Sequence, residues 1–175
     1  MILYFASTSK ISFPGAGVAL MAASEANLKQ IKSVMTIQTI GHDKINMLRH
    51  VKFFKDAEGV LAHMKLHANI LRPKFETVLK AFDAELSGIC EWTKPRGGYF
   101  ISLNVPDGCA KRAYTLCKEA GLTLTNVGAT FPYGVDPRDR NLRIAPTFPN
   151  TENLAKACEV LCVCVKLAAI EKVLG

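Results

Sequence analysis

The chain reads as a mixed α/β fold, on three observations. Short apolar runs bounded by glycine, proline and serine have the composition of strands, two long stretches hold a helical period, and the strand candidates cluster at the N-terminus and again after Gly88. With 175 residues, 49% of them hydrophobic, the chain is long enough to bury a core and too apolar to be disordered.

The elements follow in order. Ile2–Ala6 and Gly17–Ala23 read as two short, fully buried strands flanking a lysine-bearing turn, and such strands need a sheet around them. Ser24 reads as an N-cap, with Leu28, Ile31, Val34 and Met35 as the apolar stripe of a helix. A second helix starts after Gly41 and runs through Ile45, Leu48 and Val51 into the basic stretch Arg49–Lys55. From Asp56 the series Val60, Met64, Leu71, Phe75, Val78, Leu79, Phe82, Leu86 keeps a helical period and stops at Gly88, a good C-cap. Pro73 lies inside this series and removes one backbone hydrogen bond, so the element is expected to be long and bent, or two helices in line. His63 and His67 stand four apart on it; with no third ligand nearby they read as two solvated histidines rather than a metal pair.

Past Gly88 the character changes. Ile89–Thr93, Tyr99–Val105, Leu122–Thr125 and Asn141–Ala145 are strand candidates, and Ala110–Ala120 is amphipathic and helical. Lys94-Pro95-Arg96-Gly97-Gly98 is a tight turn that joins the first two as an antiparallel pair. Asn150 caps a final helix with Leu154, Ala157, Leu161, Val165 and Ala168 on one face. Strands backed by two helices on one side make a small α+β domain.

Composition narrows the function classes. The net charge is +7, yet the basic residues are scattered and no run of them is interleaved with aromatics, so a surface serving small anionic substrates fits better than nucleic-acid binding. The six cysteines, Cys90, Cys109, Cys117, Cys158, Cys162 and Cys164, form no C-x-x-C pair and have no histidine at zinc spacing. They read as buried free thiols, which implies a reducing, cytoplasmic compartment. The N-terminal apolar stretch lacks a basic leader and is interrupted by Lys10, Pro14 and two glycines, so it is not read as a secretion signal, and no segment reaches the length of a membrane span.

The densest chemical signal is Ser7-Thr8-Ser9-Lys10, placed where an apolar run gives way to Phe13-Pro14-Gly15-Ala16-Gly17. A lysine at the end of a buried strand loses hydration, and a desolvated amine is a usable nucleophile. Three readings stand on the tetrapeptide alone. Lys10 forms a Schiff base with pyridoxal phosphate, with neighbouring hydroxyls and backbone N–H groups on the phosphate. Or Ser7 and Lys10 are nucleophile and base of an acyl transferase, although the companion Ser-Asp-Asn and Lys-Thr-Gly are absent. Or the lysine simply snorkels at a strand end.

Taken with Gly97-Gly98-Tyr99-Phe100 and Asn141-Leu142-Arg143-Ile144-Ala145-Pro146 in that order, the chain resembles the C-terminal part of a fold-type I pyridoxal-phosphate-dependent aminotransferase. It is most similar to a subgroup of aspartate aminotransferases in the phrases STSKISFPGAGVA, QTIGHDKINMLRHVKFFKD, PRGGYFISL and ATFPYGVDPRDRNLRIAPTFP, and the likeness covers essentially the whole chain. The resemblance implies that residues 1–56 are the end of the large cofactor domain, contributing two strands of its parallel sheet, the lysine turn and connecting helices. It makes residues 57–175 the small α+β C-terminal domain.

By that resemblance Lys10 holds pyridoxal 5′-phosphate and then shuttles a proton between substrate and cofactor, so one amine serves as nucleophile and general base. Ser7 matches a hydroxyl on the cofactor phosphate, with Ser9, Gly15 and the turn backbone assisting. The commonest pattern has a phosphate-binding arginine eight residues after the lysine; Val18 stands there, so the phosphate charge must be neutralised elsewhere. Arg143 matches the arginine that clamps the substrate α-carboxylate through two parallel hydrogen bonds. The nearby Arg138 and Arg140 are read as surface partners of Asp136 or Asp139. Gly97 and Gly98 leave room for a ligand to approach Tyr99 and Phe100, and Thr39 corresponds to a cross-subunit contact. The implied activity moves an amino group between aspartate or glutamate and a 2-oxo acid such as 2-oxoglutarate, in a homodimer. The aspartate, aromatic, tyrosine and asparagine that the family sets around the cofactor ring cannot be located in this sequence, so the chain alone is expected to be inactive. The alternative is a non-catalytic chain that binds a partner.

Overall fold

In the computed structural model, which describes residues 2–175, the two N-terminal strands pair with each other. β1 (Tyr4–Ser7) and β2 (Ala19–Ala22) run antiparallel, with Tyr4 opposite Ala22 and Ser7 opposite Ala19. The expectation that they are fully buried is overturned: Tyr4, Phe5 and Leu20 are 62%, 68% and 58% exposed. A two-stranded ladder satisfies one edge of each strand and covers neither face, so apolar strands without further neighbours stay open. The chain forms two units, one ending at Ala68 and the other comprising Asn69–Gly175.

In the first unit, α1 (Glu25–Gln38) begins at Ser24, whose backbone is extended as an N-cap requires but whose hydroxyl makes no capping bond. Its stripe is half covered: Leu28, Ile31 and Met35 are half-buried and Val34 is exposed. α2 (Lys44–Phe54) is capped by Asp43, whose carboxylate accepts the Asn46 N–H at 2.9 Å. The expected stripe of α2 faces solvent, since Ile45, Leu48 and Val51 are all exposed; its buried residues are His50 and Phe54. These join an aromatic cluster. The Phe13 ring meets His50 and Phe53 edge-on at 5.3 and 5.1 Å, Phe53 meets Phe54 at 4.9 Å, and His63 packs edge-on against both phenylalanines. His63 and His67 are therefore half-buried rings 4.4 Å apart rather than solvated side chains, and no metal-binding group of three ligands exists among the described residues.

α3 (Ala57–Glu85) is one continuous helix through Pro73, which excludes the reading of two helices in line. Phe82 and Val78 on its last turns are fully buried, as is Leu86 just beyond. Gly88, at φ 79°, takes the left-handed conformation that ends the run.

The second unit has the larger core. β3 (Glu91–Trp92), β4 (Ile101–Asn104) and β5 (Asn141–Ile144) form an antiparallel sheet in that order. Ile101 lies opposite Ile144 and Leu103 opposite Leu142, all pointing into the core, so Ser102 and Arg143, also opposite one another, share the outer face. α4 (Ala110–Glu119) buries only small side chains, Ala110, Ala113 and Cys117, which lets α5 (Thr151–Leu174) approach closely with Leu154, Cys158, Leu161, Cys162, Val165 and Ala168. Asn150 caps α5 as expected, accepting the Asn153 N–H at 2.8 Å. The strand expected at Leu122–Thr125 is absent. Leu122 and Leu124 do pack inward with period two, but the segment pairs with no strand among the described residues.

All six cysteines are free. Burial pushes the Cys158 thiol up to about 12 and Cys162 up to about 11, so neither is a thiolate near neutrality. A thiol reagent at pH 8 is expected to modify Cys158 and Cys162 only as fast as the domain opens, and at once in denaturant. Rapid labelling of both in the folded chain would overturn this packing.

Candidate functional site

The lysine turn is built on Thr8. Its N–H donates to Val18 O at 2.8 Å, its hydroxyl accepts the Val18 N–H at 2.9 Å, and its carbonyl accepts the N–H groups of Ile11 and Ser12, both at 2.8 Å. Val18 thus serves through its backbone as the other side of the turn. Lys10 is exposed, so the burial expected of it is not supplied here. Ser7 Oγ donates to Ser9 Oγ at 3.1 Å, which places two exposed hydroxyls side by side just ahead of the lysine. Gly15 has φ 76°, a conformation side chains disfavour, and a Cβ on Gly17 would come within 3.0 Å of Ser9 Oγ.

Sequence reasoning missed what lies beneath this turn. His50 Nε2 is 2.7 Å from Ser12 Oγ and 3.2 Å from Thr8 Oγ1, and its Nδ1 is 2.9 Å from Asn46 O. Nothing in the sequence links His50 to residues about forty positions away.

Arg143 sits in the second unit on the outer face of β5, half-buried, with its guanidinium 4.6 Å from the centre of the Phe100 ring. Its Nε is buried without a hydrogen-bond partner, and no ion pair holds Arg143 among the described residues. Gly98 has φ 86°, and the space around Gly97 and Gly98 is open. Thr39 closes α1, and its hydroxyl donates to Gly41 O at 2.9 Å.

Arg138 and Arg140 are paired, though not as expected. Arg138 bonds Asp107 at 2.9 Å, and Arg140 bonds Glu91 at 2.8 Å with Asp107 at 3.8 Å, so neither pairs with Asp136 or Asp139. Asp136 instead serves the backbone, one oxygen accepting the Arg138 N–H at 3.0 Å and the other those of Arg140 and Asn141, both at 2.8 Å. Backbone donors in a tight turn out-compete side chains that must be ordered to reach it. Asn141 is buried and donates to Ser102 Oγ and Asn104 Oδ1, both at 2.8 Å, while accepting from Thr130 Oγ1 at 2.7 Å. An open cleft of about 360 Å³ lined by Cys90, Glu91, Asn104, Asp107 and Arg140 contains none of the expected site residues.

Comparison with known proteins places this geometry in a family. The family described as aspartate amino-transferase matches residues 2–175. An aspartate aminotransferase of Corynebacterium glutamicum is 47% identical over 169 residues, covering 95% of this chain and 39% of its own length. The crystal structure of an aspartate transaminase from Corynebacterium glutamicum superposes with a TM-score of 0.92 at 46% identity, over 96% of this chain and 40% of that one. An α-aminoadipate aminotransferase of Thermus thermophilus, solved with N-(5′-phosphopyridoxyl)-L-leucine, shares the fold at 22% identity and a TM-score of 0.79, over 96% of this chain and 42% of its own. The chain belongs to the aspartate aminotransferase family and spans about 40% of the length of the relatives it matches.

Asp136 fixes the start of β5, the strand that carries Arg143. Burial alone would raise its pKa, but the N–H groups of Arg140, Asn141, Arg138 and Asp139 outweigh this and hold it below the ordinary 3.8. A carboxyl lowered on folding stabilises the fold above its unfolded pKa and loses that contribution as pH falls toward the folded value. Asp136→Asn is expected to cost about 1–3 kcal/mol at neutral pH. The deficit should hold down to about pH 4 and shrink only below it; urea unfolding of both proteins across this range measures it, and a deficit that vanished already at pH 6 would refute the assignment.

Proposed function

We propose that this chain is the C-terminal part of a pyridoxal-phosphate-dependent aminotransferase that moves an amino group between aspartate or glutamate and a 2-oxo acid such as 2-oxoglutarate. The reading is carried by the lysine turn: an exposed primary amine, two adjoining hydroxyls and a left-handed glycine, in a chain of this family. That donor set suits the cofactor, whose aldehyde needs an amine and whose phosphate needs small donors. Pyridoxal 5′-phosphate, once bound, supplies the electron sink for carbon-acid chemistry. Lys10 would hold the cofactor and move the proton at the substrate α-carbon, and Ser7 and Ser9 would donate to the phosphate, with Gly15 and the turn backbone assisting.

Arg143 binds the substrate α-carboxylate. Its guanidinium is set over Phe100, its Nε lacks a partner and no carboxylate among the described residues pairs with it, which supports two parallel N–H donors meeting a planar anion. The exposed apolar side chains of β1 and β2 support the reading that residues 1–56 belong to a larger cofactor domain, with residues 57–175 as the small domain, in a homodimer. The free thiols fit a reducing, cytoplasmic setting, and no helix among the described residues is long and apolar enough to cross a membrane.

The test adds pyridoxal 5′-phosphate to the chain, scans absorbance beyond the aromatic region, then supplies aspartate and 2-oxoglutarate and follows oxaloacetate. A band lost in Lys10→Ala, without sustained turnover, is the expected result, because the groups that the resemblance sets around the cofactor ring are not located in a chain spanning about 40% of its relatives' length. Absence of any Lys10-dependent band would overturn the cofactor role. Sustained turnover would show that those groups are dispensable.

A further inference from the structure

His50 is only 8% exposed, and the aminotransferase reading gives it no role. Its ring is fixed from three sides: Phe13 meets it edge-on at 5.3 Å, Phe54 lies 6.1 Å away, and Nδ1 is 2.9 Å from the carbonyl of Asn46 on its own helix. A carbonyl only accepts, so Nδ1 carries the hydrogen, and in the neutral ring Nε2 is left as an acceptor. That nitrogen faces the lysine turn, 2.7 Å from Ser12 Oγ and 3.2 Å from Thr8 Oγ1, and the two hydroxyls are 2.9 Å apart.

Thr8 and Ser12 stand two residues before and two after Lys10. They are four apart on one helical turn, closed by the Ser12 N–H on Thr8 O, so they share a side and Lys10 falls on the other. One buried imidazole therefore grips both ends of the segment that carries the exposed amine. A surface turn held only by its backbone bonds opens easily, and the presentation of an amine suffers when its base moves by about an ångström.

We propose that His50 is a positioning residue for Lys10: through Ser12 and Thr8 it fixes the lysine turn, and so presents the amine at a set place beside Ser7 and Ser9. This rests on the reading of Lys10 as the amine that takes pyridoxal phosphate.

The test compares the full chain with His50→Phe, which keeps a ring against Phe13 and Phe54 but deletes Nε2, and with His50→Gln, which restores a polar group at similar reach. One readout needs no cofactor: amide hydrogen exchange at Ile11, Ser12 and Val18. The other mixes the chain with pyridoxal 5′-phosphate, so that the Lys10 amine condenses with the aldehyde and releases water, and quenches with borohydride, which reduces the C=N bond to a secondary amine weighed on the Lys10 peptide. His50→Phe is expected to speed exchange at the three amides and slow capture at Lys10, each by about tenfold, with exchange in α5 unchanged. His50→Gln should recover most of both. Turn exchange and capture like wild type in His50→Phe would overturn the proposal. So would equal loss of protection in α5, which would mean general destabilisation. Should His50→Phe fail to fold, Ser12→Ala decides, with about a threefold effect in the same directions expected and none overturning it. Lys10→Ala separates the two ideas: an adduct undiminished in that variant refutes the role of Lys10, whereas the exchange data report on the His50 clamp alone.

Discussion

The register between β4 and β5 is the constraint on which the second unit depends. With Ile101 opposite Ile144 and Leu103 opposite Leu142, four aliphatic side chains enter the core and Arg143 stays on the outer face. Slipping the pair by one residue would exchange the faces, turning a guanidinium inward and two aliphatic side chains out. An unpaired buried cation costs several kcal/mol, far more than four-residue strands recover from their own ladder. The alternative register is excluded chiefly by that penalty, and Asn141 selects the observed one in detail, because its amide reaches Ser102 and Asn104 only in this pairing.

The two units solve the burial problem differently. In the second, aliphatic side chains of α3, β4, β5 and α5 close around fully buried Phe82, whose ring also meets Trp92 edge-on at 5.7 Å. The first contains few buried side chains and is organised by rings: Phe13, His50, Phe53, Phe54 and His63 contact one another largely edge-on. Edge-to-face contacts each contribute about 0.5–1.5 kcal/mol beyond area burial, and they fix direction as well as proximity. That directionality orients His50 toward the turn. Meanwhile much of the apolar surface of β1, β2, α1 and α2 remains exposed.

Legibility in the sequence follows locality. α3 and α5 are readable from a helical period sustained over many turns, and the cap at Asn150 from a residue type whose side chain reaches its own helix start. β5 is readable from alternation. Leu122–Thr125 alternates just as well, yet two leucines can pack on a core from an extended segment that no neighbouring strand edge receives. α2 misleads for a different reason. Periodicity searches for aliphatic residues, whereas the buried positions are an aromatic and a histidine whose polar atoms are satisfied by Asn46, Ser12 and Thr8. Contacts spanning about forty residues leave no local trace, and neither does the exchange of partners that sends Arg138 to Asp107 while Asp136 serves the backbone.

Charge placement carries the last step. Arg112 grips Glu171 through two bonds, and Arg138 and Arg140 are tied to Asp107 and Glu91, so these guanidiniums have committed hydrogen bonds to the fold. Arg143 has not. It lies on Phe100, whose ring supports the guanidinium without consuming its donors, beside glycines that keep the approach open. A planar cation held in orientation but left unneutralised gains little for the stability of the fold. On the proposed reading it meets a planar anion without first breaking a bond, which is the preorganisation that carboxylate recognition requires. The turn around Lys10 is held by its backbone and by hydroxyls: Thr8 is bonded through main chain and side chain to Val18, and Thr8 and Ser12 both reach His50.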